Sequence, residues 1–313
     1  MIIYAHINMT KQKNLLPITA LVSASILWGV NVPLVKLGLR SIPLTIFITV
    51  KFLAASLILL PFALKTWKPL SKVTWALVVL SSLLSITAGA VLLNAGLKYA
   101  PSINYGIIDL LAPLLLSVLS VQFLKERMNF RSVLGVIVAF AGAAIIIGKP
   151  WEVSFSSQAA ILGNILFFAS MLSSVISELI FKPILKKFSP YQITFLCLFI
   201  GTLPIVPFAL MQLKTWSYHS VTPDGYSALI YGIIAMPLAN LFFYHGLKYK
   251  KVHSVAIYSY ITPLVIVIAA WFILAERPSL KFILGAALAF LGIYLAEFHK
   301  SQKIIGLRIN KIK

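Results

Sequence analysis

Charged side chains inside long apolar stretches are the residues of this chain best placed to do chemistry, because hydrocarbon makes them costly and confines them to sites that use them. The whole chain has only seven acids: Asp109, Glu126, Glu152, Glu178, Asp224, Glu276 and Glu297. Asp109 lies eight residues after Pro101, and Lys51 lies eight residues after Pro43, each in an apolar run. In helices that start from the same membrane face, both would sit about 12 Å deep. Equal depth permits a Lys51–Asp109 ion pair. One reading is a charged patch beside a solute path, with Asp109 as a proton or cation site. The other is a lysine that snorkels or ties two helices together.

Polar and aromatic residues gather around the same positions. Tyr105, Asp109 and Pro113 are spaced i, i+4, i+8 and share one helix face. Ser259 and Pro263 are their counterparts later in the chain, with Tyr260 on the neighbouring stripe. A proline within a helix removes a backbone hydrogen bond and bends the helix, which makes Pro113 and Pro263 candidate hinges. Trp28, Asn31 and Pro33 in one apolar segment, and Asn240, Tyr244 and His245 in another, add further polar groups. A site built from Trp28, Asn31, Tyr105, Asp109, Asn240, Tyr244 and Tyr260 would suit a small zwitterion. Asparagine and tyrosine would hydrogen-bond its polar end, Asp109 would face its ammonium, and the rings would hold its apolar part. Glu178 and Lys182 read as an i, i+4 pair near a helix end, and His253 as a loop residue beside Lys250 and Lys251.

Other chemistries lack their residues. The chain has no His-Glu-x-x-His, no Gly-x-Ser-x-Gly, no P-loop and no paired histidines, so neither catalytic residues, a metal nor a cofactor is expected. A single cysteine, Cys197, excludes an internal disulfide. An ATP-driven pump would need its ATPase from a partner.

The elements that must carry these residues are transmembrane helices. The chain is 60% hydrophobic and 11% charged, against about 25% charged in a soluble domain. Crossing the hydrocarbon takes about 20 apolar residues. Ten segments qualify, as spans 1–10: 15–38, 42–64, 73–97, 101–124, 131–148, 158–181, 190–212, 225–247, 252–274 and 280–298. The net charge of +20 is spread in twos and threes between them, which points away from nucleic acid. Counted on alternate sides, 19 lysines and arginines share a side with both termini, 6 lie opposite, and Lys36 and Lys51 fall within spans. The richer side is expected to be cytoplasmic.

The chain also repeats itself at an offset of 150 residues, with 15 identities in the 49 pairs that begin at Asn94 and Tyr244. Gly96-Leu97-Lys98-Tyr99 returns as Gly246-Leu247-Lys248-Tyr249, Pro113-Leu114 as Pro263-Leu264, and Glu126-Arg127 as Glu276-Arg277. Five spans per half is an odd number, so the halves enter the membrane from opposite sides and the repeat is inverted. Gly135 and Gly142 in span 5, and Gly285 and Gly292 in span 10, make flat stripes suited to close packing of the two halves.

With Trp28-Gly29-Val30-Asn31 in span 1, these paired motifs make the chain resemble the drug/metabolite transporter superfamily, and most closely its EamA-type branch. The glycine stripes are similar to the glycine pair in the last helix of small multidrug resistance proteins. The resemblance implies an all-α membrane protein of ten transmembrane helices, in two inverted five-helix repeats around a central cavity lined by spans 1, 3, 4, 6, 8 and 9. It implies a permease, not an enzyme, exporting an amino acid or another small polar metabolite. The alternatives are a lipid scramblase and an integral-membrane enzyme acting on lipid. The expected layout is a cytoplasmic tail at 1–14, repeats at 15–148 and 158–298, and a basic cytoplasmic tail at 299–313. Met9 reads as a natural start. The chain is expected in the plasma (inner) membrane, surrounded by lipid and working as a monomer on a small-molecule substrate.

Overall fold

A computed structural model describes residues 2–125 and 158–276, with side chains from 15 onward except that of His253, together with positions 130, 133–135, 137, 138, 141, 284, 287, 288, 291, 292, 294 and 295. These residues are helical apart from short turns and loops. Eight helices among them are long and apolar enough to cross a bilayer: Leu15–Gly38, Leu44–Lys65, Lys72–Tyr99, Ser102–Leu124, Gln158–Lys187, Pro190–Leu213, Pro223–Tyr249 and Ser254–Leu274. They are spans 1–4 and 6–9. Most of spans 5 and 10, including Gly142 and Gly285, lies outside the described residues. Gly135 and Gly292 are helical and buried.

The 150-residue repeat is written in the backbone. Span 4 is interrupted at Leu110 and span 9 at Tyr260, three residues before Pro113 and Pro263. A helical N–H at each proline would have bonded the carbonyl of Asp109 or Ser259, and proline has none to give. Both spans then end on a left-handed residue that is not glycine, Lys125 at φ 52° and Ala275 at φ 56°. Spans 3 and 8 both end by bonding the next backbone N–H to a glycine carbonyl, Ala100 to Gly96 and Lys250 to Gly246.

Packing exchanges helices between the halves. Span 1 lies mainly against spans 8 and 9, and span 6 mainly against spans 3 and 4. Spans 2 and 7, at equivalent places, pack on one another and run antiparallel. At one end of that pair Thr45 donates to Gln212 at 2.6 Å, and at the other Phe62 stacks on Tyr191 at 5.8 Å.

Span 3 leaves the α-helical pattern at Leu83–Ala90, which is π-helical. Carbonyls in such a segment need partners other than the usual ones, and hydrocarbon has none to offer. A stripe of serines on span 6 supplies them. Ser170 donates to the Gly89 carbonyl and Ser173 to that of Leu84, both at 2.7 Å, and Ser177 donates to that of Ser81 at 2.9 Å. On the other side Thr87 donates to the Gly201 carbonyl of span 7 at 2.5 Å.

Span 6 continues to Lys187, past the expected end at 181. The extension follows from Lys182, which is buried and donates to the carbonyls of Leu247 and Lys250 at the end of span 8. A lysine that finds carbonyls at a helix C-terminus need not leave the helix to reach water.

Gly201 permits the close approach of spans 3 and 7. A Cβ there would meet the Ser82 carbonyl oxygen at 2.5 Å and Ile86 at 2.6 Å. Gly201→Ala is therefore expected to cost about 1–3 kcal/mol through overpacking. A Cβ on Gly106 would meet Ile266 at 3.2 Å and the Pro263 carbonyl oxygen at 3.5 Å, so Gly106→Ala should be milder. Thermal unfolding of the two variants in detergent checks this, and equal losses would contradict it.

Candidate functional site

The interrupted spans surround a cavity of about 170 Å³. Spans 1, 3, 4, 6, 8 and 9 line it, with Phe52 from span 2. The π-helical segment contributes Ser85, Ile86, Gly89 and Ala90, so the backbone is irregular where it borders the cavity. Spans 4 and 9 contribute the residues beside their interruptions, Asp109, Ala112 and Pro113 on one side and Ser259 and Thr262 on the other.

Six of the residues named from sequence meet here: Trp28, Asn31, Tyr105, Asp109, Asn240 and Tyr244 all line the cavity. The Trp28 ring lies 4.8 Å from that of Phe243. Tyr244 packs against Phe181 at 5.3 Å and donates its hydroxyl to Cys197 Sγ at 3.6 Å. Tyr105 sits one turn before Asp109, and its ring is edge-on to Phe167 at 5.4 Å.

Two expected residues lie elsewhere. Tyr260 is fully buried and outside the cavity wall, while its neighbours Ser259 and Thr262 line it. The interruption at residue 260 turns the helix at that point. Lys51 and Asp109 are not paired: the ion pair found among the described residues joins Lys36 to Glu276. The Lys51 ammonium instead lies over the rings of Phe52, at 4.5 Å, and Phe47, at 5.2 Å. Equal depth fixed the height of these two groups but not their direction around the helix axis. Span 2 turns toward spans 7 and 8, and Gly232 of span 8 leaves space for the Lys51 stem.

Glu178 is the functional candidate that spacing assigned to the wrong partner. It lines the cavity, as Asp109 does. Lys182, four residues on, is drawn to span 8 as described above. The available signal was the serine stripe: Ser170, Ser174 and Glu178 are spaced i, i+4, i+8 and share one face.

Beyond the cavity, at the start of span 4, a tie joins three spans. Lys36 at the end of span 1 meets Glu276 Oε1 at 3.0 Å, and Glu276 Oε2 accepts from the Ser102 hydroxyl at 3.0 Å and the Ile103 N–H at 3.2 Å. The left-handed Ala275 directs Glu276 back toward this helix N-terminus, where a carboxylate satisfies free N–H groups. Lys36 also donates to the Ala100 carbonyl at 3.4 Å. Lys182 does the same to Lys250, the repeat partner of Ala100.

A multi-pass helical bundle with paired helix breaks around a central cavity that carries a few polar side chains on a mostly apolar wall is the architecture of a membrane transporter. The chain belongs to the EamA-like transporter family, whose model matches residues 15–148 and 161–298. It is 28% identical over 288 residues to the uncharacterized transporter YvbV of Bacillus subtilis (strain 168), covering 91% of this chain and 93% of that one. It is also 28% identical over 278 residues to an uncharacterized transporter of Archaeoglobus fulgidus, covering 86% and 94%. A solved crystal structure shares the fold at a TM-score of 0.65, with 17% identity over 87% of this chain and 97% of that one.

The side chains of the Lys36–Glu276 pair are 24% and 17% exposed, so their coupling should be modest. A double-mutant cycle with Lys36→Met and Glu276→Gln, followed by unfolding in detergent, is expected to give about 0.5–1 kcal/mol. Glu276→Ala should cost more than Lys36→Ala, because it also strands the Ser102 hydroxyl and the Ile103 N–H. The reverse order would contradict this assignment.

Proposed function

We propose that this transporter exports a small polar metabolite, an amino acid or a related compound, by alternating access through the central cavity. The observation that carries the reading is the pair of helix interruptions at Leu110 and Tyr260, one in each repeat and both at the cavity. Pro113 and Pro263 act as the hinges there, so that the segments on either side of each break tilt independently. Trp28, Asn31, Tyr105, Asp109, Asn240 and Tyr244 hold the solute.

The full architecture in this reading is ten spans in two inverted repeats, 15–148 and 158–298, with tails at 1–14 and 299–313. The antiparallel pairing of spans 2 and 7 supports inversion, since halves related by an axis along the membrane normal would bring equivalent helices together in parallel. Spans 5 and 10 join the halves through Gly135, Gly142, Gly285 and Gly292. The 19-to-6 division of basic residues supports cytoplasmic termini in the plasma (inner) membrane. The chain works as a monomer among lipids, and energy comes from solute or ion gradients.

Counterflow in proteoliposomes tests the proposal. Labelled amino acids and related amines outside vesicles should accumulate when the same unlabelled compound is loaded inside, and replacing both Pro113 and Pro263 by alanine should slow the exchange about tenfold or more. Transfer of labelled phospholipid between leaflets with no solute counterflow would overturn the reading in favour of a scramblase.

A further inference from the structure

The cavity wall is unbalanced in charge. Asp109 enters from span 4 and Glu178 from span 6, one from each repeat. Among the described lining residues there is no lysine, arginine or histidine. Lys51, a cation at similar depth, is committed to two phenylalanine rings and is not part of the wall. Two carboxylates facing one small space within a membrane call for a positive charge between them.

An ammonium group is the chemistry that matches two carboxylates, with three donors, no acceptor and a positive charge. A carboxylate on the ligand would be in a different position. It would find only neutral donors such as Asn240 and the serine hydroxyls, and it would lie in the field of two acids.

The remainder of the wall sets the body of the ligand. Trp28 and Phe243 are 4.8 Å apart, and Phe52 and Tyr244 lie on the same wall. Such rings hold an apolar group and attract a nearby cation. The space of about 170 Å³ is slightly larger than the ~150 Å³ that admits benzene. It fits one ring with a short chain.

We propose that Asp109 and Glu178 form a site for a small aryl-alkyl ammonium cation, so that the transporter prefers compounds of net positive charge to their zwitterionic amino-acid counterparts. The proposal rests on the cavity being the solute site. It narrows the substrate class from amino acids and their relatives to the amines among them. The ammonium lies between the two carboxylates, and the ring lies against Trp28 and Phe243.

The test is calorimetric binding to the purified full-length protein in detergent with three matched probes: 2-phenylethylamine, L-phenylalanine and 3-phenylpropionate. The amine is expected to bind at least about tenfold more tightly than the amino acid, because the added carboxylate is left without a partner, and the acid should not bind. Asp109→Asn and Glu178→Gln, which preserve side-chain shape, should each weaken the amine about tenfold. Asp224→Asn, at an exposed position, should leave it unchanged. Gel filtration and thermal unfolding show whether each variant is folded. If L-phenylalanine binds as tightly as the amine and both depend on Asp109, the cation preference is overturned while the cavity remains the solute site. If the amine binds but both carboxamide variants keep full affinity, the site lies elsewhere and the proposal falls. If none of the three binds while proteoliposomes still catalyse counterflow of another solute, the ligand class is wrong and transport stands.

Discussion

Hydrocarbon offers no hydrogen-bond partner to a peptide group, and the organisation of this protein follows from how each break in a helix is answered inside the bundle. The π-helical Leu83–Ala90 segment survives because Ser170 and Ser173 of span 6 donate to its carbonyls. Those bonds fix span 6 against span 3, which in turn sets the face that Glu178 presents to the cavity. The proline breaks in spans 4 and 9 leave carbonyl groups beside the same space. Irregular backbone thus borders the centre of the molecule, and the centre is where the polar side chains gather.

The repeat gives this arrangement its economy. Span 1 packs on spans 8 and 9, and span 6 on spans 3 and 4, so each half completes the other's side of the cavity. At the two ends of the bundle, Lys36 and Lys182 do equivalent work by donating to the carbonyls of Ala100 and Lys250. The Glu276 tie adds a carboxylate at one of those ends, binding spans 1, 4 and 9 where they converge.

Much of this was legible in the sequence because it depends on length, composition and repetition. Apolar runs of about 20 residues locate the spans, and the 150-residue offset aligns Pro113 with Pro263. Direction around a helix axis was harder to read. Lys51 and Asp109 share a depth, yet their spans face different neighbours, and Phe47 and Phe52 take the ammonium. Spacing puts Tyr260 on the right turn of the right helix, but it lies at the interruption and is buried in the packing. Local spacing pairs Glu178 with Lys182, whereas a longer-range contact with span 8 claims the lysine. The π-helical segment has no proline to announce it, and only its serine partners on another span mark the irregularity.

The central claim is that the space between the two halves opens to each side of the membrane in turn. A single cysteine at Ser259, which lines the cavity beside the span-9 break, reports this in a chain whose buried Cys197 is replaced by serine. A membrane-impermeant thiol reagent is applied in separate experiments to each side of sealed, uniformly oriented vesicles. The account predicts reaction from both sides. Reaction from one side only under every solute condition, or from neither, would contradict it.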